Sequence, residues 1–97
     1  MQMQSYIVCC GTNGRAVVFG QCESEPETGQ PIKLHNARMI LYWPSACGGL
    51  FGLAANGPKE GLRLTHAVRV TATEAVRQWL SVPDEAAEQL RTWPAEG

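Results

Sequence analysis

The chain has no apolar run near the roughly 20 residues needed to cross a bilayer. Its polar opening, Met1-Gln2-Met3-Gln4-Ser5, has no signal-peptide plan. These absences predict a cytoplasmic protein with no membrane partner. Charge is also scarce: 18% of the 97 residues are charged and the formal net charge is -1. That balance excludes the self-repulsion of a disordered chain and a strong field for DNA. The basic residues are scattered, whereas a nucleic-acid interface concentrates its cations on one face. Direct nucleic-acid binding is therefore not expected, although folding could gather Lys59, Arg63, Arg69 and Arg77 into a patch.

Metal and nucleotide signatures are missing as well. There is no Cys-x-x-Cys among Cys9, Cys10, Cys22 and Cys47, and His35 and His66 stand far from any ligand pair. Adjacent Cys9 and Cys10 point to opposite faces of a strand, so they are poorly placed to share one metal. A reducing cytosol disfavours disulfides. The cysteines read as small core residues or free thiols, with no metal site and no cofactor. No Gly-x-x-x-x-Gly-Lys loop, internal repeat or low-complexity segment is present.

What is there is 44% hydrophobic composition in a length that supports one core, hence a single domain over 1–97. Tyr6 to Cys10 and Arg15 to Cys22 are β-branched and apolar around Gly11-Thr12-Asn13-Gly14, which predicts a hairpin. Glu23 to Gln30, acidic with Pro26 and Gly29, reads as an exposed loop. Ile32 to Trp43 is a third extended segment with a bulge or break near Asn36. Met39 to Trp43 is apolar on both faces, as in a covered central strand.

Pro44-Ser45 ends that strand. Cys47, Leu50, Phe51 and Ala54 then recur at i, i+3, i+4 and i+7, one face of a short helix that Ser45 can cap and Asn56-Gly57-Pro58 stops. Leu62 to Val82 is ambiguous. Leu64 to Thr71 alternates like a strand, whereas Thr73 to Leu80 would serve as a capped helix. Pro83 opens a clearer helix in which Ala86, Leu90 and Trp93 share a face, with Asp84 and Glu85 at its positive end.

The order Ala37-Arg38, Tyr42-Trp43, Gly48-Gly49-Leu50, Leu53-Ala54 and Gly57 resembles a family of small phage and prophage proteins of unknown function. The pattern is Ala-Arg-x-x-x-Tyr-Trp followed by Leu-Ala-x-x-Gly, and the likeness runs over most of the chain. Pro44 and the Cys47-Gly48-Gly49 turn depart from it. The resemblance implies that Val68 to Leu80 is mainly extended, forming one long last strand before the Pro-started helix. The fold class expected is therefore α+β: a small antiparallel sheet of about four strands carrying a short central helix and a C-terminal helix. The resemblance also implies a phage setting within a bacterial host, and it transfers no activity.

Cys47 at a helix start is the candidate nucleophile, with His35 or His66 as a base. Its apolar helical spacing with Leu50 and Phe51 reads instead as core. Gly48 and Gly49 between strand and helix could hold a phosphate on free amides, assisted by Arg38, although Arg38 could equally cap carbonyls. Among the aromatics, Trp43 and Trp93 read as core, while Tyr42 and Trp79, the latter beside Arg77, are candidate contacts. The candidate binding set is Arg38, Tyr42, Gly48, Gly49, Lys59, Arg77 and Trp79.

A short domain without acid-base pairs or metal ligands has little means for chemistry and ample surface for a partner. The expectation is a non-enzymatic accessory protein that binds a host protein or protein complex and blocks an antiviral defence, as anti-CRISPR-type inhibitors do. A subtype sequesters a nucleotide signal at Arg38 and Gly48-Gly49. The alternatives are a Cys47-dependent enzyme and a homo-oligomeric component of a phage particle.

Overall fold

The computed structural model describes residues 3–95; Met1, Gln2, Glu96 and Gly97 lie outside the described residues. Strands β1 (Gln4–Cys10) and β2 (Ala16–Cys22) form the predicted antiparallel hairpin, with Ile7 opposite Phe19. The turn between them uses Asn13 and Gly14 at φ 59° and 65°, a region those two residue types enter readily.

Strand β3 (Lys33–Tyr42) pairs with β2, placing Phe19 opposite Arg38 and Gln21 opposite His35. Two steps along β2 thus match three along β3. The extra residue falls where the sequence predicts a bulge, and Asn36 has φ 53°. The bulge shifts the alternation of faces, which is why Leu34 and Ala37, an odd number of residues apart, are buried in one cluster.

On its other side β3 carries two strands. Strand β4 (Arg63–Leu64) sets Leu64 opposite Ile40, and β5 (Val68–Ala72) sets Val68 opposite Ala37 and Ala72 opposite Lys33. Strand β6 (Val76–Val82) lies beyond them all on β1, so the sheet runs β4-β3-β2-β1-β6 with β5 also on β3. The sheet therefore has six strands rather than four, because Arg63–Leu64 pairs with β3 as a strand of its own and the expected last strand divides into β5 and β6. Val68 to Leu80 is extended, but it forms two strands at opposite ends of the sheet rather than one long last strand.

That connection dictates the shape. From Ala72 to Val76 the chain reaches at most about 14 Å, whereas four strand spacings in a flat sheet are about 19 Å. The sheet must curl until its ends approach. Amides of Thr73 and Val76 donate to the carbonyls of Ile32 (2.8 Å) and Gln30 (2.9 Å), stitching the seam.

Two cores result. Ile7, Phe19, Ile40 and Leu64 face the helices α1 (Gly49–Asn56) and α2 (Asp84–Thr92), which contribute Leu53, Ala54, Ala86, Ala87 and Leu90. On the opposite face Tyr6, Val8, Val18, Leu34, Ala37 and Val76 form a second cluster. It contains no helix residue, so the curl of the sheet itself closes it.

Helix α1 starts later than the sequence predicts. Ser45–Cys47 is a separate 3₁₀ turn, and Gly48 at φ 85° is the N-cap, with no side-chain cap. The change of direction at Gly48 breaks the expected phase: Cys47, Leu53 and Ala54 are buried, but Phe51 is 66% exposed. A Cβ on Gly52 would lie 2.0 Å from the Cys47 carbonyl oxygen, so only glycine lets the helix sit on this turn. Gly57 closes α1 and Asp84 and Glu85 open α2, both as predicted.

Strand β3 does have strands on both sides, yet it is not covered on both faces. Met39 and Leu41 are 43% and 46% exposed, because the helix-free face has no lid at that end, and Tyr42, the last residue of the strand, is 51% exposed. Among the described residues no helix is long and apolar enough to cross a membrane.

Candidate functional site

Arg38 is an internal clamp. Its side chain is buried beneath α2, where Nη1 donates to the carbonyls of Leu90 (2.8 Å) and Arg91 (3.2 Å) and Nε donates to that of Thr65 (2.8 Å). The α-helix C-terminus leaves its last carbonyls without intrahelical donors, and Arg38 supplies two of them. Burial lowers the guanidinium pKa from its ordinary value, yet arginine stays charged, so these are charge-assisted bonds. The expectation of a phosphate contact from Arg38 is thereby corrected: its donors face carbonyls inside the molecule.

The rest of the candidate set does not converge. Gly48 and Gly49 are exposed at the start of α1, and Lys59 is exposed in the turn whose carbonyl accepts from Leu62. Tyr42 sits exposed at the end of β3, opposite Arg63. Arg77 and Trp79 stand on β6, at the other end of the strand order. Arg77 is exposed, but Trp79 is half-buried, packed edge-on against Tyr6 with ring centroids 5.6 Å apart. It is a flank of the second core rather than a free anchor. Trp43 and Trp93 pack against the main core as expected, Trp93 Nε1 donating to the Leu62 carbonyl at 3.0 Å.

Cys47 is 3% exposed within the core, while His35 and His66 line two separate clefts, neither of them lined by Cys47. The four cysteines are free thiols. Burial pushes the Cys9 thiol above its ordinary range, with a smaller effect from neighbouring Cys10. Among the described residues no three His, Cys, Asp or Glu side chains gather in a metal-binding group.

The larger of the two clefts, about 390 Å³, lies under the acidic loop and is lined by Glu23, Glu25, Glu27, Lys33 and His35 among others. Its walls are polar loop residues, in keeping with a solvated segment. The smaller cleft, about 250 Å³, differs in kind, since Val18, Ala37, Met39 and Val68 make its walls apolar.

The second cleft originates in the broken edge. Thr65 donates its amide to the Met39 carbonyl (3.0 Å), and its Oγ1 accepts from the Met39 amide (2.9 Å) while donating to the His66 carbonyl (3.0 Å). The hydroxyl thus takes over a ladder position, and the chain leaves β3 until Val68. Met39 and Val68 are left beside the gap, 43% and 50% exposed, with Leu41 and Val70 exposed two residues further along their strands. Sequence reading misses this surface. Its one signal was the alternating Val68-Arg69-Val70, which does not say that the strand is an edge.

No curated protein and no solved structure matches the chain significantly. A protein-family model does match, over residues 3–90, which includes both core clusters and the apolar cleft. The chain belongs to the family described as a domain of unknown function, DUF6948.

Proposed function

We propose that the protein is a non-enzymatic phage or prophage accessory protein that works by binding a host protein, blocking an antiviral defence complex. The observation that carries the binding reading is the apolar cleft of Val18, Ala37, Met39 and Val68, with exposed Leu41 two residues beyond Met39 on β3. Exposed apolar side chains gathered beside a concave site are what a partner surface buries, and truncating a few such anchors removes most of the binding energy. The phage setting rests on the resemblance at Ala37-Arg38, Tyr42-Trp43 and Leu53-Ala54.

The test is plating efficiency of a restricted phage on host strains that each carry one defence system, with and without expression of this chain. Restored plating in a defended strain, with no change in undefended strains, is the expected result. Unchanged plating in every defended strain overturns the defence-blocking role.

A further inference from the structure

We infer that the cleft under the acidic loop binds a small linear aliphatic polyamine, whose ammonium groups are held by Glu23, Glu25 and Glu27 and by the hydroxyl oxygen of Tyr6. This cleft shares no lining residue with the apolar one, so the inference goes beyond the binding reading above and does not rest on it. The loop is anchored. Pro26 at its middle is buried, and at its far end the Gly29 amide donates to the Val76 carbonyl (2.7 Å) while the Val76 amide donates to the Gln30 carbonyl (2.9 Å). These anchors hold the cleft of about 390 Å³ in shape, which lowers the ordering cost of binding. Among the described residues none of the three carboxylates pairs with a cation or accepts a hydrogen bond. Lys33 is the one lysine or arginine in the lining, so negative charge prevails there.

Tyr6 separates this cleft from a merely solvated acidic face. The residue is 6% exposed and belongs to the cluster against which Cys22 and Ile32 pack, and both of these line the cleft. Burial, and then the proximity of Glu25 and Cys22, pushes its phenol above the ordinary range, which places the hydroxyl within electrostatic reach of the cleft wall. Among the described residues that hydroxyl makes no hydrogen bond, yet it is not sealed from solvent. A buried phenol ordinarily has a partner. Protonated at neutral pH, this one offers its oxygen lone pairs to an N–H donor entering the cleft.

The arrangement favours a polyamine over a metal ion. Among the described residues no three His, Cys, Asp or Glu side chains gather in a metal-binding group, so the negative charge is spread along the loop. Successive glutamates, two residues apart, stand at most about 7 Å from each other at Cα. A ligand whose charges are likewise spaced along a chain meets them one by one. Pro31 and Ile32 give its methylenes an apolar wall. A single ammonium would leave carboxylates unneutralised.

The test titrates the whole protein with spermidine at an ionic strength of about 0.15 M and follows amide shifts by NMR, with magnesium chloride, butylamine and a trilysine peptide as comparisons. Spermidine should give saturable shifts at Tyr6 and from Cys22 to Glu27, and bind at least about tenfold more tightly than magnesium or butylamine. Replacing the three loop glutamates together, Glu23→Gln, Glu25→Gln and Glu27→Gln, should cost about tenfold or more in affinity. Tyr6→Phe, which keeps the ring in the core, should cost about threefold. Glu85→Gln, on α2, should change nothing. Shifts that do not saturate or that spread to Glu85 and Glu88, equal binding of magnesium or butylamine, or Tyr6→Phe binding as tightly as the parent would each overturn the inference. Tighter binding of trilysine than of spermidine would do so as well, by giving the cleft to a protein's lysines.

Discussion

Arg38 on β3 donates from Nη1 to the Leu90 carbonyl at 2.8 Å, joining the sheet to the last turn of α2 across 52 positions of sequence. A second donor, Nε, holds Thr65 at the broken edge, so one guanidinium ties helix, central strand and edge together. The same clamp that ends α2 also positions the residue after which the chain leaves β3 to open the cleft.

Replacing Arg38 with alanine should therefore destabilise the protein by about 2–4 kcal/mol, since buried carbonyls lose their charged donor and a packed stem is removed. Arg77→Ala, on an exposed position of β6, should stay within about 0.5 kcal/mol. Urea unfolding followed by circular dichroism measures both. An Arg38→Ala variant as stable as the parent would contradict the clamp.

Gly52→Ala should cost about 2 kcal/mol or more, because the new Cβ would stand 2.0 Å from the Cys47 carbonyl oxygen and force α1 off its turn. Helix propensity alone favours the substitution by roughly 1 kcal/mol. The sign of the measured change in unfolding midpoint decides which effect wins, and a stabilised variant would refute the close approach.

Much of the fold was legible in sequence because its signals are local. Gly11 to Gly14 marks the hairpin, the interruption at Asn36 marks the bulge, and Gly57 and Pro83 mark a helix end and a helix start. What failed was non-local. Thr73 to Leu80 reads as a helix by its own pattern and becomes β6 by pairing with β1, a tertiary contact that outweighs propensity. Phe51 kept its helical spacing, but the left-handed Gly48 turned it outward. Arg38 could be seen as either a ligand or a cap, and only the carbonyls of Leu90 and Thr65, distant in sequence, decide between them. The cleft was least visible, since Met39 and Val68 look like ordinary core residues until the chain is seen to leave β3 at Thr65.

Thiol labelling distinguishes a buried core cysteine from a reactive one. Cys22 is half-exposed while Cys9, Cys10 and Cys47 are buried, so a thiol reagent at neutral pH should modify Cys22 first. The other three should follow only on unfolding. Mass spectrometry of the labelled peptides reads the order, and fast labelling of Cys47 would revive a nucleophile there.

Stability should fall in alkali. Burial raises the Cys9 and Cys10 thiols above their ordinary 9.0; at Cys10 a backbone hydrogen bond from Glu74 opposes the rise and the Glu74 charge adds to it. Burial likewise raises Tyr6 above 10.0, with Glu25 and Cys22 adding to it. Above pH 9 the unfolded chain loses protons that the folded one keeps, so stability present below pH 9 declines as pH rises further. Urea midpoints at neutral pH and at about pH 10 should show that decline, and equal midpoints would contradict it.

The central claim, that the apolar cleft beside β5 is the working surface, is tested most directly by Met39→Glu in a defended host. Met39 is 43% exposed, so the charge should leave the melting temperature within a few degrees of the parent while placing a carboxylate in the cleft. The account predicts that this folded variant loses at least about tenfold of the plating that the parent protein restores. A folded variant that restores plating as well as the parent would contradict it.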